Sequence, residues 1–309
     1  MRYKGKRVGV LMGGISKERE ISLLTGEAIY KALLNLGYNV IKLDLKEDIV
    51  RSILEANIDV AFIALHGRFG EDGTVQSLLE LLRIPYTGSS PLASAMSMNK
   101  IITKKILLYH KIPTPEFVSV DNTISIDQII PQIPFSFPFV VKPSSEGSTI
   151  GVSKVYTEEE LKKAIREAFS YDDQILIEKM IEGKEITVGI LNGEPLPIIE
   201  IAPKSGFYDY RSKYTKGMTE YIIPPNIAPS SYEKASNYAF LTYKRMRLNG
   251  CARVDMMMDK KGEPFVLEIN SMPGMTSTSL IPKAASYKGI SFEDLVEKIL
   301  NTASLKIKV

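Results

Sequence analysis

Apolar positions recur along the chain at two periods, and the switch between them marks out its elements. Residues 7–12 form a short apolar run broken by Gly13-Gly14. Ser16 is placed to cap a helix in which Ile21, Leu24, Ala28, Ile29 and Leu36 follow helical spacing as far as Gly37. Residues 39–45 read as the next strand and 47–56 as a helix. Residues 59–65 read as a buried parallel strand opening into His66-Gly67-Arg68-Phe69-Gly70-Glu71-Asp72-Gly73. Loops at the carboxyl ends of such strands are where α/β sheets bind ligands. A helical stretch over 91–110 runs up to Pro113-Thr114-Pro115, a stiff connector and hence a domain boundary.

Beyond the connector the pattern changes. Pro131, Pro134 and Pro138 punctuate a segment ahead of a strand at 139–142. A glycine- and serine-rich loop at 143–151, a strand at 152–156 and a helix opened by the capping box Thr157/Glu160 follow. Strands dominate from 174 onward: first 174–179, then 184–201 folded at Asn192-Gly193. Residues 203–221 carry tyrosines but no period, and a stretch of that length inside a folded domain predicts a mobile lid. A helix over 230–248, a strand pair within 251–270 and two short helices complete the chain, which has no internal repeat.

Composition narrows the chemistry. The 309 residues suffice for two or three domains, and 44% hydrophobic with 24% charged residues predicts a chain folded throughout. A net charge of +3 gives no duplex-coating surface, and no apolar run reaches the roughly 18 residues of a membrane span. Nucleic acid and membrane are therefore not expected as partners. The single cysteine, Cys251, reads as a buried small hydrophobe, and the start lacks a signal-type cleavage site, so a cytoplasmic location is expected. Two histidines and one cysteine rule out zinc sites built from several such ligands and leave a serine triad few bases. The remaining inventory of Lys, Arg, Asp, Glu and backbone groups suits phosphoryl transfer around Mg²⁺.

Three constellations carry that chemistry. The loop Lys142-Pro143-Ser144-Ser145-Glu146-Gly147-Ser148-Thr149-Ile150-Gly151 lets backbone N–H groups approach an anion beside a lysine, although a ligand-free hairpin turn is equally open. It is not a Walker loop, and Gly13-Gly14 lacks the dinucleotide fingerprint. Arg253-Val254-Asp255 and Glu268-Ile269-Asn270 lie on strands joined through Asp259-Lys260-Lys261-Gly262. A two-residue turn at Lys261-Gly262 would pair Lys260 with Glu263 and set Asp255 opposite Glu268, with Asn270 on the same face. Three hard oxygen ligands then converge, as Mg²⁺ prefers; a solvated polar face is the alternative. Ser271 to Leu280 runs into a helix whose first N–H groups suit a carboxylate or oxyanion, or merely an ordinary cap. His66 alone could be a turn residue and His110 a helix-end dipole contact, while Met256-Met257-Met258 reads as core.

Together, Gly13-Gly14-x-Ser16-x-Glu18-Arg19-Glu20, Ala64-Leu65-His66-Gly67-x-x-Gly70-Glu71-Asp72-Gly73, Lys142-Pro143-x-x-Glu146-Gly147-Ser148, Glu178-Lys179, Phe207-Tyr208-Asp209-Tyr210-x-x-Lys213-Tyr214, Arg253-Val254-Asp255 and Glu268-Ile269-Asn270-x-x-Pro273-Gly274-Met275-Thr276-x-x-Ser279 resemble the D-alanine–D-alanine ligases of the ATP-grasp superfamily, in order and over essentially the whole chain. The resemblance implies an α/β ATP-grasp fold in three domains. These are an N-terminal parallel-sheet α/β domain (1–112) with first-substrate contacts, a central α+β domain (113–182) and a C-terminal antiparallel-sheet α+β domain (183–309) with metal and acceptor sites. It implies ATP-dependent, ADP-forming ligation of two D-alanines through an acyl phosphate, for peptidoglycan synthesis.

It also implies roles. Glu18 would bind the first D-alanine's ammonium in a network with Ser148 and Tyr214, with His66 nearby. Lys100, Lys142 and Lys213 would hold phosphates. Glu178, Lys179 and Ile181 would line the adenine, and Glu185 would take the ribose hydroxyls. Asp255, Glu268 and Asn270 would ligate two Mg²⁺ ions, which Mn²⁺ can replace, with K⁺ a further candidate cation. Arg253 and the Gly274 N–H would stabilise the oxyanion, and Ser279 with Leu280 would receive the second D-alanine. A homodimer is the implied assembly. A D-lactate-using ligase of the same fold is the nearest alternative, disfavoured by Tyr214. A non-catalytic ATP-binding module is another, disfavoured by the intact metal ligands, Arg253 and Ser279.

Overall fold

Parallel pairing of β1 (Arg7–Gly13), whose inner positions are uniformly buried, begins the architecture. A computed structural model describes residues 2–203, 217–276 and 278–307. After β1 come α1 (Arg19–Asn35), β2 (Asn39–Leu45), α2 (Ile49–Ala56), β3 (Val60–Ile63), α3 (Thr74–Leu81), α4 (Pro91–Met98) and α5 (Lys100–Tyr109). The strands form a parallel sheet in the order β2-β1-β3. The second sheet is antiparallel: β4 (Phe117–Asp121), β5 (Phe139–Pro143), β6 (Ser153–Val155) and β7 (Gln174–Lys179), ordered β4-β7-β5-β6 and carrying α6 (Ile126–Ile129) and α7 (Glu158–Phe169). The third holds β8 (Gly183–Leu191), β9 (Glu194–Pro195), β10 (Ile199–Pro203), β11 (Thr219–Ile222), β12 (Cys251–Asp259) and β13 (Pro264–Asn270). Its order is β11-β10-β8-β12-β13, with β9 on β8, and α8 (Pro229–Arg245), α9 (Leu280–Tyr287) and α10 (Phe292–Leu300) complete the chain.

The last helices return to the first sheet. Leu295, Val296, Ile299 and Leu300 of α10 share one buried cluster with Val8, Val10, Ile29 and Leu33. At roughly 1.5–3 kcal/mol per buried aliphatic side chain, α10 is a structural wall of the N-terminal unit. Tyr38 Oη donates to Glu297 Oε1 at 2.7 Å and Tyr3 Oη to the Ala303 carbonyl at 2.6 Å. No helix among the described residues is long and apolar enough to cross a membrane.

Several expectations need correction. Ser16 does not cap α1, which begins behind Glu18 without a side-chain cap; its hydroxyl donates instead to the His66 carbonyl (2.7 Å) and accepts the Glu18 N–H (3.2 Å). The stretch 91–110 is two helices, because Asn99 adopts an extended conformation and its side chain accepts the Ile102 N–H at 2.9 Å. A short amide that bonds its own backbone competes with helix continuation. Helices α3 and α6 and strand β4 had no sequence counterpart, and β11 begins inside the stretch read as aperiodic. The lid expected over 203–221, with Lys213 and Tyr214, falls largely outside the described residues. The capping box at Thr157 and Glu160 is present, and Asn192-Gly193 turns with φ of 55° and 84°, which suits a tight hairpin.

Candidate active site

Two loops of different sheets meet at Glu18. Its carboxylate accepts a hydrogen bond from Ser148 Oγ, on the loop after β5. That loop coils tightly because Ser148 and Thr149 both adopt left-handed φ, 52° and 65°. Gly147 keeps the approach open, since a Cβ there would lie 3.3 Å from Glu18 Oε2, and one at Gly67 only 2.8 Å from it. His66 is buried behind this pair, with Nδ1 3.1 Å from Glu71 Oε1 and Nε2 3.1 Å from Thr25 Oγ1. In the neutral ring the carboxylate fixes the proton on Nδ1, leaving Nε2 to accept from Thr25. His66 is thus a fixed wall of the site, not a turn residue.

Lysines form the next face. Lys100 Nζ donates to the Glu146 carbonyl at 2.6 Å and lies 3.5 Å from Glu268 Oε2, while Arg68 Nη2 donates to Glu146 Oε1 at 2.9 Å. Lys142 Nζ donates to Glu178 Oε1 at 2.6 Å. The other oxygen of Glu178 sits 2.9 Å from Lys104 Nζ, at ion-pair distance though off the hydrogen-bond direction. Burial pushes the Glu178 carboxyl up, but the two ammonium groups outweigh it and hold it below the usual range. Burial likewise pushes Lys104 down to about 8, against the pull of Glu178.

The hairpin of β12 and β13 brings Asp255 opposite Glu268 and Arg253 opposite Asn270. The expected pairing is present, but the expected turn is not. Asp259 N–H donates to the Glu263 carbonyl at 3.0 Å, so three residues, 260–262, make the loop. Met256 then faces Val266, and a bulge between Asp255 and Met256 restores the register one residue later. Thr187 of β8, opposite Asp255, donates to its Oδ1 at 2.6 Å. Arg253 grips both Asp255 oxygens, with Nε 2.8 Å from Oδ1 and Nη2 2.7 Å from Oδ2. Two carboxylates and the Asn270 amide on adjacent register positions are a hard-oxygen donor set that fits Mg²⁺.

At the far end, Ser279 Oγ accepts the Thr276 N–H at 3.0 Å and lies 2.9 Å from Thr276 Oγ1. A Cβ at Gly274 would meet that Oγ at 3.1 Å. The stretch is folded back at the start of α9, where N–H groups are unpaired by the helix itself. Glu18, His66, Lys100, Ser148, Arg253, Glu268, Asn270, Gly274, Ser279 and Leu280 all line one cleft of about 1500 Å³.

Other expected residues stand apart from that wall. Lys142 and Glu178 are in the buried triad, and Asp255 is behind Arg253. Lys179 closes β7, exposed and 3.3 Å from Glu116; Ile181 follows it, and Glu185 lies on β8 opposite Met257. Sequence reasoning passed over Thr25, Lys104 and Thr187, whose partners are distant in the chain. Glu71 and Glu146 were quoted within motifs but given no role. Cys251 is buried, as are Met256 and Met258.

Comparison with known proteins gives a concordant result. A family model described as the D-Ala-D-Ala ligase C-terminus matches residues 110–301, and its N-terminal counterpart matches 45–89. The D-alanine–D-alanine ligase of Carboxydothermus hydrogenoformans is 52% identical over 302 residues, covering 95% of this chain and 97% of that protein. The crystal structure of D-alanine–D-alanine ligase from Bacillus anthracis superposes with a TM-score of 0.85 at 39% identity, over 96% of this chain and 97% of that one. Its complex with ATP gives 0.83 at 38%, covering 96% of both.

Proposed function

The chain belongs to the D-alanine–D-alanine ligase family and is an ATP-dependent ligase that joins two D-alanines, and from that premise we propose how the cleft performs the reaction. The contact between Glu18 and Ser148 carries the reading, because it closes the N-terminal and central loops over the wall that Arg253, Glu268 and Ser279 face. Three domains, 1–112, 113–182 and 183–309, then each contribute one side of the site.

Glu18 takes the ammonium of the first D-alanine, oriented by Ser148 and backed by His66; Tyr214 completes the network. The carboxylate of that substrate points toward Lys100 and Arg253. Lys100, Lys142 and Lys213 hold the phosphates of ATP, Lys179 and Ile181 with Glu178 beneath them line the adenine, and Glu185 takes the ribose hydroxyls. Asp255, Glu268 and Asn270 would hold Mg²⁺, which when bound neutralises phosphate charge. A carboxylate oxygen of the first D-alanine attacks the γ-phosphorus and ADP leaves. The amine of the second then attacks the acyl carbon, the bond from that carbon to the phosphorus-bound oxygen breaks, and phosphate departs with the oxygen it received and the proton the amine gives up. Arg253 and the Gly274 N–H stabilise the oxyanion between these steps, and Ser279 with Leu280 holds the second carboxylate at the start of α9.

Steady-state kinetics of Glu18→Gln test this assignment. The KM for D-alanine at the first site should rise on the order of tenfold or more while that for ATP stays within about twofold, as loss of one charge-assisted contact requires. A change confined to ATP would place Glu18 in a different role.

A further inference from the structure

Lys104 has no exposed surface, and a lysine is seldom so deeply buried unless paired. Its ammonium lies 2.9 Å from Glu178 Oε2, 2.6 Å from Thr114 Oγ1 and 3.2 Å from the Pro115 carbonyl. Glu178 also takes Lys142 at 2.6 Å, so one carboxylate is divided between two ammonium groups and the triad carries one unmatched positive charge. An uncompensated buried charge is costly. Of the two lysines, Lys142 leads into the Ser144–Ser148 loop, whereas Lys104 is enclosed by the connector. We propose that Lys104 is a positioning residue for the nucleotide phosphates: by occupying Glu178 it prevents a one-to-one Lys142–Glu178 pair and leaves the Lys142 cation available to an anionic ligand. The inference rests on the reading of Lys142 as a phosphate-holding residue.

The surroundings support a positioning role. Thr114 Oγ1, which meets Lys104, donates to the Val266 carbonyl at 2.8 Å, and the Val266 N–H donates to the Pro113 carbonyl at 2.8 Å. The connector is therefore fastened to β13, two residues before Glu268. Lys104 links the Lys142–Glu178 pair of β5 and β7 to the strand that carries Glu268 and Asn270.

The test compares Lys104→Met, Lys104→Gln, Lys142→Met, Glu178→Gln and Lys104→Met/Glu178→Gln in the full chain. Steady-state kinetics, ATP binding by calorimetry and thermal midpoints are measured for each. Lys104→Met should raise the KM and Kd for ATP roughly tenfold, with kcat and the D-alanine KM within about twofold and no loss of thermal stability, since a neutral Lys142–Glu178 pair remains. Lys104→Gln, which keeps a donor for Thr114 and the Pro115 carbonyl, should behave alike. Because Glu178 has its own place under the adenine, the double variant is read against Glu178→Gln alone: with no carboxylate left to pair with Lys142, adding Lys104→Met should weaken ATP by no more than about twofold further. If Lys142→Met leaves ATP binding unchanged, the phosphate reading fails and the inference with it. If Lys142→Met weakens ATP but Lys104→Met does not, the inference alone is overturned. It is also overturned if Lys104→Met weakens ATP equally with and without Glu178→Gln, or impairs both substrates with a lowered midpoint.

Discussion

Replacing Thr187 by valine removes one hydroxyl and keeps the side-chain outline; it deletes the 2.6 Å hydrogen bond to Asp255 Oδ1 and a longer contact, 3.3 Å, to the Val254 carbonyl. Thr187 is 1% exposed, which leaves no room for water to take over the 2.6 Å contact to Oδ1. A hydrogen bond to an ionised group contributes about 1.5–3 kcal/mol. Asp255 keeps Arg253 at 2.8 and 2.7 Å, so the lower end applies, and the unliganded protein should lose roughly 2–4 °C in thermal midpoint. With Asp255 in its proposed role as an Mg²⁺ ligand, the larger consequence concerns the metal. A group that orients a ligand typically changes metal affinity about 10–100-fold when removed. Titrating activity with Mg²⁺ at fixed ATP should therefore give a half-saturation at least roughly tenfold higher in Thr187→Val, while saturating Mg²⁺ restores most of kcat. A lowered midpoint with an unchanged Mg²⁺ requirement would refute the reasoning, because Thr187 would then be supporting the sheet and not aiming Asp255.

Three further outcomes follow from buried groups. Burial, opposed by Glu178 and reinforced by the facing Lys142, pushes Lys104 down to about 8 in the folded chain from an ordinary 10.5. Between those values the unfolded chain holds the proton that the folded one has released, so stability of the parent relative to Lys104→Met should rise from pH 8 to 10.5; a flat difference in urea midpoints would contradict this. Glu80 is buried and accepts from Tyr86 Oη at 2.8 Å and from the Lys306 N–H at 2.6 Å, so Glu80→Gln should cost about 1–3 kcal/mol in urea unfolding with kcat unchanged. Burial pushes the Cys251 thiol up to about 12, so a thiol reagent at pH 8 should modify it only after unfolding; rapid labelling of the native protein would be at odds with the fold.

Local chemistry was legible where the signal is local. The strand at 174–179, the capping box at Thr157 and the Asn192-Gly193 turn depend on neighbours within a few residues, and the structure has all three. Asp255 was placed opposite Glu268 for an incomplete reason: a loop one residue longer than expected and a bulge displace the register in opposite senses and cancel. Neither leaves a mark on the alternation of the strands. Ser16 had the right type for a cap, but a carbonyl brought in from the loop after β3 competes for its hydroxyl. Lys104 and Lys105 are adjacent and identical, yet only Lys104 is buried, because Glu178 lies on a strand from another sheet. Such tertiary pairings are invisible to periodicity.

The order of bond making is the central claim, and isotopic labelling of the substrate reads it directly. D-alanine carrying ¹⁸O in its carboxylate is supplied with unlabelled ATP and Mg²⁺, and the phosphate and nucleotide products are examined by mass spectrometry. Attack of the carboxylate on the γ-phosphorus should transfer one ¹⁸O to each inorganic phosphate, with ADP as the nucleotide product and D-alanyl-D-alanine formed in equal amount. Unlabelled phosphate, or AMP with label in its phosphate, would contradict an acyl phosphate and with it the roles assigned to the cleft.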